Sequence, residues 1–294
     1  MTPPTVSKTE SFLNRRGASL IQGLFSAKTK KMSNALLPRR SRLSKKSNAG
    51  PRNPRTGEQI IAGYSPGSES PEGDNWAHGW RAYITDRKEP MRLDFWKAWV
   101  FGDPKWDWRK FDYDRDVAYA DAKLAAVNAS SPDLSAFRSR GGKILMYSGW
   151  ADPVGPSMDA VNYYKRVEKA AGGREQTESF SRLFMVPGMA HCGSGPGLNF
   201  FGGFGPARSP AQIKRDPEHD VLSALVQWVQ KGMAPDHIVA THITNDRIDR
   251  TRPLCPYPKV ARWNGIASSD DARTFTCEDK SDRQQDSDAR LDVF

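Results

Sequence analysis

Residues 141–153 read GGKILMYSGWADP, and what precedes and follows that aspartate decides the fold. Two glycines open a short apolar run that ends at turn residues, a pattern that predicts a buried strand. Downstream, residues 157–173, SMDAVNYYKRVEKAAGG, predict a helix with Ser157 as N-cap and the glycines as its stop. FSRLFMV at 180–186 predicts a second strand. Asp216-Pro217 then form an N-cap/N1 pair opening a helix with Val221, Leu222, Leu225, Val226 and Val229 on one face, closed by Gly232. Strand, helix, strand, helix specifies parallel strands with crossover helices, the α/β class.

In open parallel sheets, ligands bind beyond the carboxyl ends of the strands. The first strand runs into SGWADPVGP, which puts Asp152 just past its end. The second runs into RLFMVPGMAHCGSG (182–195), which puts His191 past its own. Alone, Asp152 could cap a turn and His191 could be a solvated loop histidine. At the ends of successive strands, with a helix between and a helix after, they stand in the closing order of an α/β-hydrolase. The chemistry suits the pair: a neutral imidazole takes the nucleophile's proton, and a carboxylate fixes its tautomer and stabilises the imidazolium. His78, His219, His237 and His242 show no metal-ligand spacing with a third ligand nearby, so no metal is predicted.

The nucleophile is harder to place. One formal G-x-S-x-G occurs, Gly63-Tyr64-Ser65-Pro66-Gly67, ahead of Asp152 and His191 as the order requires. An oxyanion hole needs the backbone N–H of the residue after the serine, and Pro66 has none. No apolar strand leads into it and no helix follows, so Ser65 is rejected and no nucleophile is assigned. Of the three cysteines, Cys255 and Cys277 are expected to form a bridge, which leaves Cys192 odd. Cys192 sits beside its would-be base and points away from it on an extended loop, so it too is rejected as nucleophile.

The apolar content is 37%, low for a wholly globular chain, and the net charge is +10. Residues 1–49 hold eleven Lys/Arg and one acid, Glu10, and so account for the whole excess. The bland expectation is a disordered basic arm, residues 1–48. A nucleic-acid or anionic-surface arm is disfavoured, because there is neither aromatic interleaving nor a helical stripe of charge. The third reading is a stretch that does not belong to the fold. No secretory h-region and no membrane-length apolar span is present in the sequence.

Residues 50–75 are rich in Gly, Pro and Ser and predict loop. Six of the nine tryptophans fall between Trp76 and Trp108, the mark of a small packed subdomain or of a pocket wall. Residues 114–129 predict a helix with Val117, Ala120, Leu124 and Val127 on one side, HIVATHIT predicts a strand, and the chain from Asp246 onward predicts loop, with 278–294 a frayed polar tail.

RGGKILMYSGWADPVGP, NYYKRV, RLFMVPGMAHCGSGPG and RPLCPYPKVARWNGIASSDDARTFTC resemble the C-terminal half of the tannase/feruloyl esterase family. AGPRNPRTGEQIIAGYSPGSE is similar to the end of that family's lid domain, so the likeness runs from Ala49 to Cys277. The resemblance implies a partial α/β-hydrolase fold (114–277) behind a remnant of a Trp-rich lid domain (49–113). It implies a secreted or periplasmic serine ester hydrolase acting on gallate, hydroxycinnamate or related aromatic esters, with no nucleic-acid or membrane partner. Asp152 matches the triad acid and His191 the triad base. Cys192 matches a cysteine that the family bonds to one immediately before the nucleophilic serine, so the absent serine and the absent partner would be neighbours. The family's first half, with its nucleophile elbow and calcium-binding part of the lid, has no counterpart here, so no cofactor is expected. The abrupt change near Asn48 suggests a truncated or frame-shifted reading, or a gene fragment, and the alternative function is an inactive remnant or a binding protein.

Overall fold

A computed structural model describes residues 46–69, 79–80, 89–90, 92–191, 193, 195–198, 200–202 and 213–279. The expectations for the basic arm and the polar tail fall almost wholly outside them, as do those for Cys192, His78 and Trp76. The chain forms two compact units, one taking in residues 46–64 and 92–130, the other 131–153 and 157–279.

The first unit is built on aromatic rings. A π-helical segment, Phe95–Phe101, ends at Gly102, whose φ of 65° is open to glycine at no steric cost. Trp96 lies at the centre, with ring centroids of Phe111 at 4.8 Å, Phe101 at 6.0 Å and Trp106 at 6.1 Å. Helix α1, Arg115–Lys123, sets Ala120 into this cluster beside Leu93, Val100 and Trp108. The helix is shorter than the sequence pattern predicts. At Leu124 the backbone tightens into a 3₁₀ turn, Ala125–Val127, which carries Val127 out to solvent and off the expected stripe. Asp114 accepts hydrogen bonds from Arg55 (2.6 Å) and Asn53 (2.7 Å), which hold its carboxyl down at about 2.

The second unit carries the sheet. After a short helix α2, Ser135–Ser139, strand β1, Ile144–Gly149, pairs in parallel with β2, Ser181–Val186, in the register Ile144↔Ser181 through Gly149↔Val186. The crossover is helix α3, Ser157–Ala171, followed by the single turn α4, Arg174–Glu178. Successive strand side chains face opposite sides, so β2 feeds two cores. Leu183 and Met185 meet Val161 and Tyr164 of α3. Phe184 and Val186 meet Met189, Phe201, Ile238 and Ala240 on the other side. A strand covered on both faces reads as a mostly apolar run, and in FSRLFMV only Ser181 and Arg182 interrupt it. β1 is only half-buried up to Ser148, less than its sequence predicts, because β2 is its one strand neighbour among the described residues.

Helix α5, Val221–Lys231, begins later than the Asp216-Pro217 signal. Asp216 instead closes a separate turn, accepting from the backbone N–H groups of Glu218 (3.1 Å) and His219 (3.0 Å). Asp220 is the true N-cap, accepting from Ser223 at 2.7 Å. The buried side of α5 is Ala224 and Trp228, with Val221 packed against the core, whereas Leu222 (63% exposed), Val226 and Val229 (59%) face outward.

HIVATHIT forms a strand as its pattern predicts, whereas the chain from Asp246 onward, expected as loop, carries three further strands. β3, Ile238–Thr244, turns through Asn245 and Asp246, with φ of 49° and 61°, into the antiparallel β4, Arg247–Leu254. β5, Val260–Trp263, and β6, Phe275–Glu278, form a second hairpin-like pair. Two positive φ angles in a two-residue turn match the right-handed twist of the flanking strands, and Asn and Asp tolerate them best after Gly. Cys255 and Cys277 are disulfide-bonded with Cα atoms 5.5 Å apart, tying the end of β4 to β6 across 22 residues of sequence. Removing both sulfurs with alanine is expected to cost about 3 kcal/mol in urea unfolding, the loop-entropy value for a closure of this length. An unchanged midpoint would show that the bridge constrains nothing the fold needs.

Candidate active site

The β1–β2 register brings Gly149 and Val186 level, so the two loops that follow start side by side. They are stitched together: Trp150 donates its N–H to Val186 O at 2.9 Å, and Ala151 donates to Met189 O at 3.1 Å. Met189 and Ala190 are buried at 1% and 0% exposure, which anchors the residues immediately before His191. Gly149 is required by space and not by conformation. A Cβ there would lie 2.1 Å from Met189 O and 2.7 Å from Ala190 O.

On this platform Asp152 and His191 meet, with Nδ1 of the ring 2.9 Å from a carboxylate oxygen. The two side chains are 12% and 22% exposed. An ionised carboxylate can only accept, so Nδ1 carries the proton and the neutral ring keeps Nε2 as its basic nitrogen. This is the tautomer a general base requires.

Ser157 does something its sequence position did not reveal. It is the first residue of α3, 1% exposed, and its hydroxyl faces the carbonyl oxygens of Gly149 at 2.7 Å and Trp150 at 3.1 Å. It therefore binds the start of the helix to the end of β1, a contact that the expected N-cap role does not include. A serine at a helix start is common to both arrangements, and only tertiary placement separates them. Ser157→Ala is expected to cost about 1–2 kcal/mol of stability in urea unfolding, because buried carbonyls lose a donor. A cost below about 0.3 kcal/mol would remove it from this role.

Ser65 lies in a turn, its carbonyl accepting from the Ser68 N–H (3.2 Å) and hydroxyl (2.6 Å). No strand leads into it among the described residues. His219 pairs with Asp216 at 2.7 Å and His242 with Asp249 at 2.6 Å; the latter bond is the main cause that lowers the Asp249 carboxyl below its usual range. His237 stands 3.9 Å from Glu218. Among the described residues, no group of three or more His, Cys, Asp or Glu could hold a metal ion, and no helix is long and apolar enough to cross a membrane.

A sequence model of the family described as Tannase and feruloyl esterase matches residues 24–278. The chain belongs to this family. The tannase and feruloyl esterase match starts upstream of Ala49, where the quoted motifs begin. An uncharacterized esterase of Xanthomonas campestris pv. campestris is 40% identical over 257 residues, covering 79% of this chain and 44% of that protein. A probable feruloyl esterase B-1 of Aspergillus terreus is 31% identical over 223 residues, covering 75% and 40%. The crystal structure of an esterase from Aspergillus oryzae superposes with a TM-score of 0.71 at 28% identity, covering 81% of this chain and 46% of that one. The mixed α/β fold is thus that of the family's esterases, and the chain spans under half the length of these relatives.

Proposed function

We propose that the chain supplies the acid–base half of a serine carboxylic ester hydrolase, with residues 49–113 a remnant of the lid and residues 114–277 the C-terminal part of an α/β-hydrolase domain. The observation that carries the reading is the 2.9 Å contact between His191 and Asp152 at the carboxyl ends of two parallel strands. His191 Nε2 takes the proton from a serine hydroxyl as its oxygen attacks the ester carbonyl. Asp152 stabilises the imidazolium, which then gives the proton to the departing alcohol. Water, activated by the same nitrogen, hydrolyses the acyl-enzyme.

The serine in this reading comes from a further polypeptide segment, since the Ser65 turn offers no N–H after it and no elbow. Cys192 would bond to a cysteine beside that serine, tying base to nucleophile. The substrates are aromatic carboxylic esters of gallate or hydroxycinnamate type, in line with the feruloyl esterase named among the relatives. A secreted or periplasmic location suits the Cys255–Cys277 disulfide, which persists in oxidising compartments.

The test is complementation. The chain alone is expected to give essentially no turnover of methyl gallate or methyl ferulate. Co-expressed with the part of the Xanthomonas relative that it does not match, it is expected to hydrolyse one of them and to lose that activity on His191→Ala. Hydrolysis that survives His191→Ala overturns the assignment. Failure of every complementation favours the second reading, a non-catalytic remnant, for which the turn geometry at Ser65 is the specific support.

A further inference from the structure

A cavity of about 390 Å³ in the second unit is lined by Trp150, Met185, Leu198, Tyr257 and Phe275 together with Arg252. Its volume lies inside the range of small-molecule pockets, roughly 300–1,000 Å³. Lys259 also borders it, and no Asp or Glu does among the described lining residues. Neither Asp152 nor His191 contributes to it.

Arg252 is the unusual member. It stands in β4 opposite Ala240, with its guanidinium carbon 4.3 Å from the centroid of Phe275. Its Nη1 is buried and has no hydrogen-bond partner among the described residues. A guanidinium is a planar fork of donors, and a buried donor left unpaired is rare and unfavourable. Burial pushes its pKa down, against the opposing pull of the nearby Asp270, which is felt at a distance and makes no hydrogen bond to it. The group is therefore a partly buried cation with spare donor capacity at Nη1, packed on the Phe275 ring in a cavity that Trp150 and Tyr257 also line.

We propose that this cavity binds an aromatic carboxylate, its ring against Trp150, Tyr257 and Phe275 and its carboxylate on the Arg252 guanidinium, with Lys259 adding charge from the rim. An aromatic ring alone would leave Nη1 unpaired. A small inorganic anion alone would leave the apolar walls unfilled, so one planar acid satisfies both features. The inference stands on the cavity and does not depend on the ester-hydrolase reading. If both hold, the site takes the acid that the reaction releases, at a place apart from the catalytic pair.

Isothermal titration of the whole chain with benzoate tests it. Benzoate is expected to bind one to one, and acetate, inorganic phosphate and benzyl alcohol at least about tenfold more weakly, each lacking the ring or the carboxylate. Arg252→Gln is expected to weaken benzoate about tenfold or more, and Lys259→Gln by a smaller factor. His191→Ala should leave the affinity unchanged, which separates this site from the catalytic one. Arg252→Lys keeps the charge without the fork and covers the case in which Arg252→Gln folds poorly; it too should weaken benzoate several-fold. Benzoate binding equal to that of acetate or phosphate, undiminished affinity in both Arg252 variants, or loss of binding in His191→Ala would each overturn the proposal.

Discussion

Asp152→Asn is expected to lower kcat of the complemented esterase by about 10⁴ while changing KM little. Asparagine is nearly isosteric, so the loops around it should keep their shape, and the loss would come from proton placement. The present carboxylate accepts from Nδ1 at 2.9 Å and thereby keeps Nε2 basic. An amide can instead turn its NH₂ toward Nδ1, which stabilises the other tautomer and leaves Nε2 protonated and unable to take the serine proton. It also brings no negative charge to the imidazolium. With Asp152 only 12% exposed, water has little room to substitute. His191→Ala should cost at least as much, and the double variant should be no worse than His191→Ala alone, because residues that act as a unit are not additive. A fall of less than about tenfold in Asp152→Asn would remove Asp152 from the mechanism.

The parts of this fold that the sequence reveals are those whose burial is symmetric. β2 is covered on both faces and is apolar from Leu183 to Val186, and the two loops that hold Asp152 and His191 begin where β1 and β2 end. β4 is the opposite case. RIDRTRPL is half charged, and only its last two residues are buried, so it shows no apolar alternation. What makes it a strand is the hydrogen-bonded register with β3 and the positive-φ pair Asn245-Asp246, which the apolar pattern does not report.

Helix α5 fails differently. VLSALVQWV contains two apolar stripes, and periodicity alone does not say which faces inward. The structure buries Ala224 and Trp228 and leaves Leu222, Val226 and Val229 in solvent. At the candidate site, the closeness of Asp152 and His191 is legible from their places after β1 and β2, while the supporting contacts of Ser157 and Gly149 are not. Supporting residues carry no chemical signature of their own and are identified by what they touch.

Gly149→Ala tests that support directly, and its effect should be large. The new methyl carbon would sit 2.1 Å from Met189 O, a backbone atom that cannot rotate away as a side chain can. That oxygen is already held by the Ala151 N–H at 3.1 Å, and Met189 and Ala190 are buried in the core. Relief therefore requires the whole stretch from Pro187 to His191 to move off the end of β1. Overpacking of this kind costs about 3 kcal/mol or more when the obstacle is main chain, read as a lowered urea midpoint at constant m. Whatever fraction still folds should lose about 10² in kcat as well, since a displacement near 1 Å of a catalytic base is enough for that. Gly155→Ala is the matched control. A Cβ at Gly155 meets nothing within 4 Å, so its stability should change by no more than about 0.5 kcal/mol. If the two alanines behave alike, the close packing of the loops is not what aligns His191 with Asp152, and their 2.9 Å contact must be held by the side chains themselves.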